Sequence, residues 1–373
     1  PDPDPGDAGA DSAAEDAAPG VDAAPATEPH IVFLAPADDG PVAVTSIAYA
    51  RLASVRVEGL GPGATATLRS RLWGYRGWAR FVADAEGTID ASRDAPEDGT
   101  YAGVEPEGLV WSMALESDET GEGFDVAFDL EQEGVVVASA TLERRPLDDG
   151  LVREDVRDDG LVGVLFRPVT PGPHPAVLVL GGSEGGIPEL SAAFEASFGI
   201  VALGLGYFGA EGLPSGLTDI PLETFGTALD WLARRPEVDP DRIAVVGGSR
   251  GGELALQIAA LYPEVAATIA EVPSGVRWGS AGQPDRAAWT LGGEPLPYLD
   301  GDAWDQVTTE WLPNDDRGVR ASPAYLAILA EAPPEEIAAA TIEIEHATGP
   351  VLLVGGADDG LWPSCTLAEI ALN

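Results

Sequence analysis

The sequence predicts an antiparallel β-sandwich followed by a doubly wound α/β domain with a mostly parallel sheet. Apolar and polar residues alternate with a period of two in the first part of the chain, whereas short apolar runs alternate with helical repeats after Pro146. The chain has 373 residues, of which 45% are hydrophobic, so both parts can bury a core. The change of pattern predicts a sandwich over 29–145 and an α/β domain over 146–373.

The sandwich is predicted from strand-like alternation. Every second residue is apolar in 124–130, and a similar alternation occurs in 64–72. Gly-Pro, Asp-Gly and Glu-Gly pairs separate such runs, as turn residues do. Because we find no convincing helical repeat before residue 146, we expect an antiparallel sandwich.

Strands and helices alternate in the second part of the chain. Four apolar runs have the character of parallel strands that are buried on both faces: 176–180, 199–205, 242–246 and 351–354. Between the runs, apolar residues recur every three or four positions, at Leu222, Phe225, Leu229 and Leu232 and again at Leu254, Ile258 and Leu261. This alternation predicts a doubly wound sheet.

Residues 1–28 form a low-complexity tract with eight acidic side chains and no basic one. Such a segment buries too little apolar surface to offset its ordering entropy, so we expect disorder. Two interpretations stay open: an acidic tail, and a tether left after removal of a signal or lipoprotein leader, which would make the protein exported rather than cytoplasmic. The first residue is Pro1 rather than Met, which indicates that something upstream was removed.

Charge and composition narrow the classes of ligand. The 20 basic residues, all arginine, stand against 63 acidic ones, which gives a formal net charge of −43. This charge disfavours nucleic acids and anionic membranes as partners and leaves a small molecule as the expected ligand. No apolar stretch approaches the ~20 residues of a spanning helix. A single cysteine, Cys365, and three dispersed histidines indicate neither a disulfide, a metal site nor a cofactor.

The clearest chemical signal lies in Arg242–Glu253, where an apolar strand leads into Gly247-Gly-Ser-Arg-Gly251 and then into a helical repeat. This is a G-x-S-x-G motif in a strand–turn–helix context, which lifts the serine above the carboxyl edge of the sheet. The following helix presents its positive end there. We therefore predict that Ser249 is a nucleophile; the alternative is a purely structural glycine turn.

An acyl-transfer nucleophile also needs hydrogen-bond donors for the oxyanion. The backbone amide of Arg250 is one candidate, because it follows the nucleophile at the start of the helix. The second is expected in the loop after the 176–180 strand, from Gly182 or Ser183. A loop that cradles phosphate is the rival interpretation, but the G-x-x-x-x-G-K-[ST] pattern is absent.

The acid is predicted after the last apolar strand. Asp358 and Asp359 follow 351–354, at a position where a carboxylate can orient an imidazole. Adjacent side chains point in different directions, so we expect one of the two to serve. We predict Asp359, with Asp358 as the alternative and a solvated surface turn as the structural interpretation of the pair.

The chain resembles the acyl-CoA thioesterase and bile acid-CoA:amino acid N-acyltransferase family over about 40–373. The matching motifs occur in order along both halves: Gly99–Trp111, Ile220–Glu223, Gly247–Glu253, Ala288–Thr290 and Gly356–Ser364. The resemblance implies an immunoglobulin-like sandwich packed on an α/β-hydrolase domain that acts on acyl thioesters. Family members use Ser or Cys as nucleophile, and a serine at 249 resembles the hydrolysing members.

The histidine of the predicted triad is missing. The resemblance implies a histidine some 30 residues after the acid, but the sequence ends at Asn373. His346 and His174 precede their strands, and His30 borders the acidic tract. We therefore expect a chain truncated before the catalytic histidine, folded but nearly inactive.

The predicted function is hydrolysis of acyl thioesters through an acyl-serine intermediate. The alternatives are a carboxylesterase or acyltransferase on other acyl substrates, and a non-enzymatic binding module with an incomplete triad. Four tryptophans are expected either to cap the sheet and line an acyl pocket or to belong to the ordinary core: Trp278, Trp289, Trp304 and Trp311.

Overall fold

A computed structural model describes residues 28–117, 119–280, 283–299 and 321–372. The predicted disorder of 1–28 falls, except for residue 28, outside the described residues. Trp304 and Trp311 also lie outside them.

The first part of the chain forms two β-sheets. The elements, in chain order, are β1 His30–Ala35, β2 Val42–Val44, β3 Ser46–Ala48, β4 Ser54–Glu58, β5 Thr65–Leu72, β6 Tyr75–Val82, β7 Ile89–Asp90, β8 Asp98–Gly99, helix α1 Gly108–Trp111, β9 Ala114–Leu115, β10 Val126–Gln132 and β11 Val135–Arg145. The smaller sheet has the strand order β2-β1-β4-β7, and the larger has the order β3-β11-β10-β5-β6-β8 with β9 also paired to β6. All pairings are antiparallel except that of β3 with β11.

One apolar core joins the two sheets. Phe33 and Val57 come from the smaller sheet, and Leu68, Phe128 and Leu130 from the larger. The rings of Phe33 and Phe128 are 5.2 Å apart between centroids. The period of two in β5 and β10 thus faces this core, which confirms the antiparallel sandwich.

The second part is built on a seven-stranded sheet. Its strands are β12 Leu151–Val156, β13 Val162–Pro168, β14 His174–Leu180, β15 Val201–Gly206, β17 Val238–Gly248, β18 Ala267–Glu271 and β23 Val351–Val354. Their order in the sheet is β12-β13-β15-β14-β17-β18-β23. The pairings β12–β13 and β13–β15 are antiparallel, and all others are parallel. This mostly parallel sheet with crossover helices confirms the α/β-hydrolase fold class. The predicted boundary near residue 146 remains a prediction.

Helices and two small sheets complete the described part of the second domain. The small sheets have the orders β16-β21-β22 and β19-β20, from β16 Ile220–Pro221, β19 Gly279–Ser280, β20 Gln283–Ala287, β21 Trp289–Leu291 and β22 Glu294–Pro295. The helices are α2 Glu189–Ala196, α3 Glu223–Ala233, α4 Arg250–Leu261, α5 Ser322–Glu331, α6 Pro334–Ala340 and α7 Ser364–Ile370, with a 3₁₀ turn at Ile344–His346. Among the described helices, none combines the length and apolarity needed to cross a bilayer.

The structure corrects one of the four predicted buried strands. β14 and β15 are enclosed over most of their length and β17 over its apolar run, but Leu352 and Val354 of β23 are 55% and 45% exposed. β23 is the last strand at one edge of the described sheet, so one of its faces lacks the cover that the inner strands have. Sequence analysis did not identify β12, β13 or β18, because their short runs contain Gly, Ala and charged residues.

The turn after β17 is packed against the loop after β14 without space for side chains. A Cβ on Gly251 would lie 2.4 Å from the carbonyl oxygen of Gly181 and 2.7 Å from that of Leu180. A Cβ on Gly247 would lie 2.2 Å from the carbonyl oxygen of Gly251. These contacts are with backbone atoms, which cannot rotate away, so glycine is required at both positions.

We predict that Gly251→Ala destabilises the protein by about 1–3 kcal/mol, because the added methyl group overpacks a rigid backbone contact. In an open helix the same change would be stabilising. The matched control is Gly248→Ala, whose Cβ would meet Glu271 Oε2 at 3.9 Å and which should change stability by less than about 0.5 kcal/mol. Urea unfolding measures both; equal midpoints for the two variants would contradict the packing argument.

Candidate active site

Ser249 lies between the end of β17 and the start of α4. Its backbone adopts φ 56° and ψ −121°, in the left-handed half of conformational space that a side chain rarely occupies. Its amide donates a hydrogen bond to the carbonyl of Glu271 at 2.9 Å, and its carbonyl accepts the amides of Gly252 and Glu253. The turn is therefore fixed from both sides, and the half-buried Ser249 stands at the carboxyl edge of the parallel strands.

The loop after β14 lies directly against this serine. A Cβ on the buried Gly182 would lie 3.3 Å from the Cβ of Ser249 and 3.2 Å from the carbonyl oxygen of Gly248. The amide of Gly182 donates a hydrogen bond to Glu184 Oε1 at 2.8 Å, and Ser183 is exposed. Of the two predicted loop donors, Gly182 adjoins Ser249, and its amide is hydrogen-bonded to the side chain of Glu184.

The amide of Arg250 occupies the first turn of α4, where backbone N–H groups have no intrahelical partner. In the described part of the chain we find no other acceptor for it. The helix also directs its positive end toward Ser249. The arrangement therefore brings a serine hydroxyl and two backbone amides, those of Gly182 and Arg250, to one edge of the sheet.

A buried ionic cluster lies beneath the turn, and sequence analysis missed it. The side chain of Arg250 is buried and donates to the carbonyl oxygens of Trp278 and Gly279 at 2.9 and 3.1 Å. Its Nε lies 3.1 Å from Oε2 of Glu253, which has no solvent exposure. Trp289 Nε1 donates to Glu253 Oε1 at 2.6 Å. The i, i+3 spacing of Arg250 and Glu253 on a helix was the available signal.

Burial raises the pKa of Glu253 above that of an ordinary carboxyl, while the neighbouring Arg250 acts in the opposite direction. The guanidinium of Arg250 also lies 6.0 Å from the centre of the Trp289 ring. The cluster thus ties α4 to the small sheet that contains Trp289.

Trp278 and Trp289 are fully enclosed residues of the core. Each is 1% exposed. Trp278 packs edge-on against Tyr325, with 4.9 Å between ring centroids, and Trp289 belongs to the main core of the sheet. For these two tryptophans the structure supports the ordinary-core interpretation and not a lining role in an open acyl pocket.

The two aspartates lie in the turn after β23. Oδ1 of Asp359 accepts hydrogen bonds from the amides of Leu361 and Trp362 at 3.0 and 3.3 Å. Asp359 is half-buried, whereas Asp358 is exposed. Two amides of the turn therefore bind one oxygen of the Asp359 carboxylate and fix its orientation. The role of Asp359 as the acid stays a prediction.

The three histidines lie away from Ser249. His174 begins β14, where it pairs with Val238, and its Nε2 contacts the carbonyl of Thr170 at 2.9 Å. His346 is in the 3₁₀ turn before β23, with Glu343 3.7 Å away. His30 is in the sandwich. Both His174 and His346 are at the amino ends of strands, so they are at the edge opposite to Ser249. In addition, no cluster suited to a metal ion occurs among the described residues.

Two family models match two separate segments of the chain. The acyl-CoA thioester hydrolase/BAAT N-terminal region matches residues 51–158, and the BAAT/acyl-CoA thioester hydrolase C-terminal region matches residues 220–373. The second segment contains the Ser249 turn, the buried cluster and the paired aspartates. The first covers most of the sandwich.

Similar solved structures share only a limited part of the architecture. The 2,6-dihydroxy-pseudo-oxynicotine hydrolase is 19% identical, with a TM-score of 0.36 over 60% of this chain and 57% of that one. Acetyl xylan esterase 1 from Thermoanaerobacterium is 20% identical, with a TM-score of 0.35 over 69% and 75%. The assignment to a family rests on sequence and not on these structures.

Curated relatives are more similar in sequence. Acyl-coenzyme A thioesterase 6 from Mus musculus is 32% identical over 341 residues, which cover 85% of this chain and 76% of the mouse protein. Acyl-coenzyme A thioesterase 6 from Homo sapiens is 33% identical over 237 residues, 58% of this chain and 55% of the human protein. The matched region thus spans about half the length of most of these relatives. This chain belongs to the acyl-CoA thioester hydrolase/BAAT family.

Proposed function

We propose that the protein is a serine hydrolase that cleaves acyl thioesters through an acyl-serine intermediate. The observation that carries the proposal is the strained turn at Ser249, fixed against the Gly182 loop at the carboxyl edge of the sheet. A strained nucleophile beside backbone amides is the arrangement that acyl transfer needs. The thioester class is supported by the family and by the names of the similar thioesterases.

In the proposed reaction, Ser249 Oγ attacks the acyl carbonyl carbon, and the amides of Arg250 and Gly182 stabilise the oxyanion. Collapse of this intermediate breaks the carbon–sulfur bond, and the thiolate takes a proton as it leaves. Water then attacks the acyl-serine, releases the carboxylic acid and returns the proton to Ser249. Asp359 would orient an imidazole and stabilise its protonated form while it carries these protons.

His174 and His346 lie at the amino ends of strands, at the sheet edge opposite to Ser249, and His30 lies in β1 of the sandwich, so we propose no base from among these three. Serine is a weak nucleophile until a neighbouring base takes its proton. Loss of the base from a serine triad lowers turnover by roughly 10⁶-fold, while the oxyanion donors still contribute roughly 10³–10⁴ over water. Slow intrinsic chemistry is therefore expected of residues 1–373 tested by themselves, and added imidazole should accelerate it.

We predict that a fluorophosphonate labels Ser249 slowly in residues 1–373 tested by themselves and that imidazole at roughly 0.1 M accelerates labelling by about tenfold or more, because free imidazole supplies the base. Intact-mass spectrometry and peptide mapping measure the rate and the site. Ser249→Ala should abolish the adduct, and Ser191→Ala, on the exposed face of α2, should not change it. Equal labelling of Ser249→Ala would exclude Ser249 as the nucleophile.

Asp359→Asn is predicted to reduce the imidazole-stimulated rate by about 10- to 100-fold, because an anionic partner stabilises the developing imidazolium. The effect is smaller than the roughly 10⁴-fold loss in intact triads, since free imidazole is not held in one tautomer by the chain. The adjacent Asp358→Asn is the matched control and should retain most of the stimulation. Similar rates for the two variants would rule out Asp359 as the acid.

Ordinary esters or phosphate-free thioesters are a second class of substrate, favoured by the net charge of −43. The phosphates of coenzyme A are repelled by a strongly negative surface, and the repulsion extends over a Debye length of ~10 Å at 0.1 M salt. An acyl-N-acetylcysteamine thioester carries no phosphate. We predict that, with imidazole present at a fixed concentration, kcat/KM for acyl-coenzyme A rises several-fold between about 10 and 500 mM salt, while kcat/KM for the N-acetylcysteamine analogue stays constant. A decrease for acyl-coenzyme A alone would instead indicate a cationic coenzyme A site.

A further inference from the structure

The carboxylate of Glu184 is hydrogen-bonded to the backbone amide of Gly182, the residue that adjoins Ser249. Its Oε1 accepts the hydrogen bond of the Gly182 amide at 2.8 Å. Its Oε2 lies 2.8 Å from the position of a Cβ on Gly182, and the Cβ of Ser249 lies 3.3 Å from the same position. An anionic oxygen is therefore already hydrogen-bonded to Gly182 beside the candidate nucleophile.

The backbone that carries this carboxylate is anchored after Glu184. The amide of Gly185 approaches the carbonyl of Gly182 at 3.4 Å, which closes a tight turn with Glu184 inside it. Gly185 and Gly186 continue the chain at φ 67° and 81°, and the amide of Gly186 donates to the carbonyl of Phe208 at 2.9 Å. The loop is thus anchored after Glu184. Glycine adopts positive φ without steric cost, so Gly185 and Gly186 suit these two positions of the loop.

A buried tyrosine anchors the same loop before Glu184. The hydroxyl of Tyr207 donates to the carbonyl oxygen of Gly181 at 2.5 Å. Burial raises the pKa of this hydroxyl; the charge of Arg250 acts in the opposite direction and that of Glu184 adds to the rise, so the hydroxyl keeps the proton that it donates. Both ends of the loop that carries Glu184 are therefore anchored, which keeps this residue next to the Gly182 amide.

The two candidate oxyanion donors therefore differ. The amide of Arg250 has no acceptor in the described part of the chain, whereas the amide of Gly182 is engaged. A carboxylate oxygen and the oxyanion of a tetrahedral intermediate make the same charge-assisted hydrogen bond to an amide. They compete for it, and only one can bind at a time.

We propose that Glu184 is an internal competitor for the oxyanion site: its carboxylate binds the Gly182 amide in the resting protein and must be displaced by the carbonyl oxygen of the substrate. This inference rests on the proposed function for the role of that amide. Glu184 is exposed, so the displaced carboxylate moves into water at little cost. The contact is an autoinhibitory one that holds the site closed to weakly bound acyl groups.

The first experiment observes the Gly182 amide directly by NMR. In protein labelled with ¹³C′,¹⁵N-glycine, a spectrum that detects only amides bonded to a labelled carbonyl contains only the glycines that follow another glycine. The sequence has six of these: Gly182, Gly186, Gly248, Gly252, Gly293 and Gly356. Glu184→Ala should shift the Gly182 amide proton upfield, because the carboxylate acceptor is lost, and sodium acetate should move it back. The charge-matched control Glu264→Ala, an exposed residue after α4, should leave it unchanged.

The second experiment measures competition. In the presence of imidazole, Glu184→Ala should react with a fluorophosphonate about tenfold faster than the unmodified protein, since one charge-assisted competitor is removed. Acetate should slow this variant and leave the unmodified protein unaffected. Glu184→Gln, which keeps an acceptor without the charge, should have an intermediate rate.

A Gly182 amide that is unaffected by Glu184→Ala, or that fails to respond to acetate in the variant, overturns the proposal. So does a labelling rate that is unchanged or slower. If Ser249 is not labelled in the unmodified protein or in any Glu184 variant, the proposed hydrolase function fails. The Gly182 resonance then still decides whether the Glu184 carboxylate binds the Gly182 amide.

Discussion

The close contact between two backbone segments is the constraint on which the candidate site depends. The turn at Ser249 and the loop after β14 approach so closely that carbonyl oxygens of Leu180 and Gly181 occupy the space that a side chain at 251 would need. Ser249 itself is held at a positive φ, which costs about 1–3 kcal/mol and persists only where the surroundings enforce it. The same contact that strains the serine also brings Gly182 to its side.

Buried contacts beneath the turn hold it in this conformation. Arg250 and Glu253 are buried on the first turn of α4, and their partners are carbonyls of Trp278 and Gly279 and the indole of Trp289. A buried ion pair gains little net stability, because desolvation offsets most of the attraction. Its contribution here is geometric, since each hydrogen bond fixes the start of α4 relative to a separate segment of the chain.

The negative charge of the protein has consequences at two scales. Many arginines are committed to ion pairs on the surface, such as Arg69 with Glu131 and Arg153 with Glu189. The surplus of acidic residues therefore dominates the field that an approaching ligand meets. At the local scale, the carboxylate of Glu184 is hydrogen-bonded to the Gly182 amide, which we propose as a donor for the oxyanion. The first effect favours a substrate without phosphates, and the second, under the proposal, favours one that binds tightly enough to displace the carboxylate.

The sequence alone determined the fold class, because the side-chain period of a strand or helix follows from backbone geometry and needs no distant partner. It also indicated the Ser249 turn, since glycines flanking a serine between a strand and a helix encode a local conformation. Only the tertiary structure revealed the Glu253–Trp289 contact, the exposed face of β23 and the engagement of Gly182 by Glu184. These depend on which segments meet in space and on how a short side chain folds back within its own loop, and no local pattern of residues specifies either.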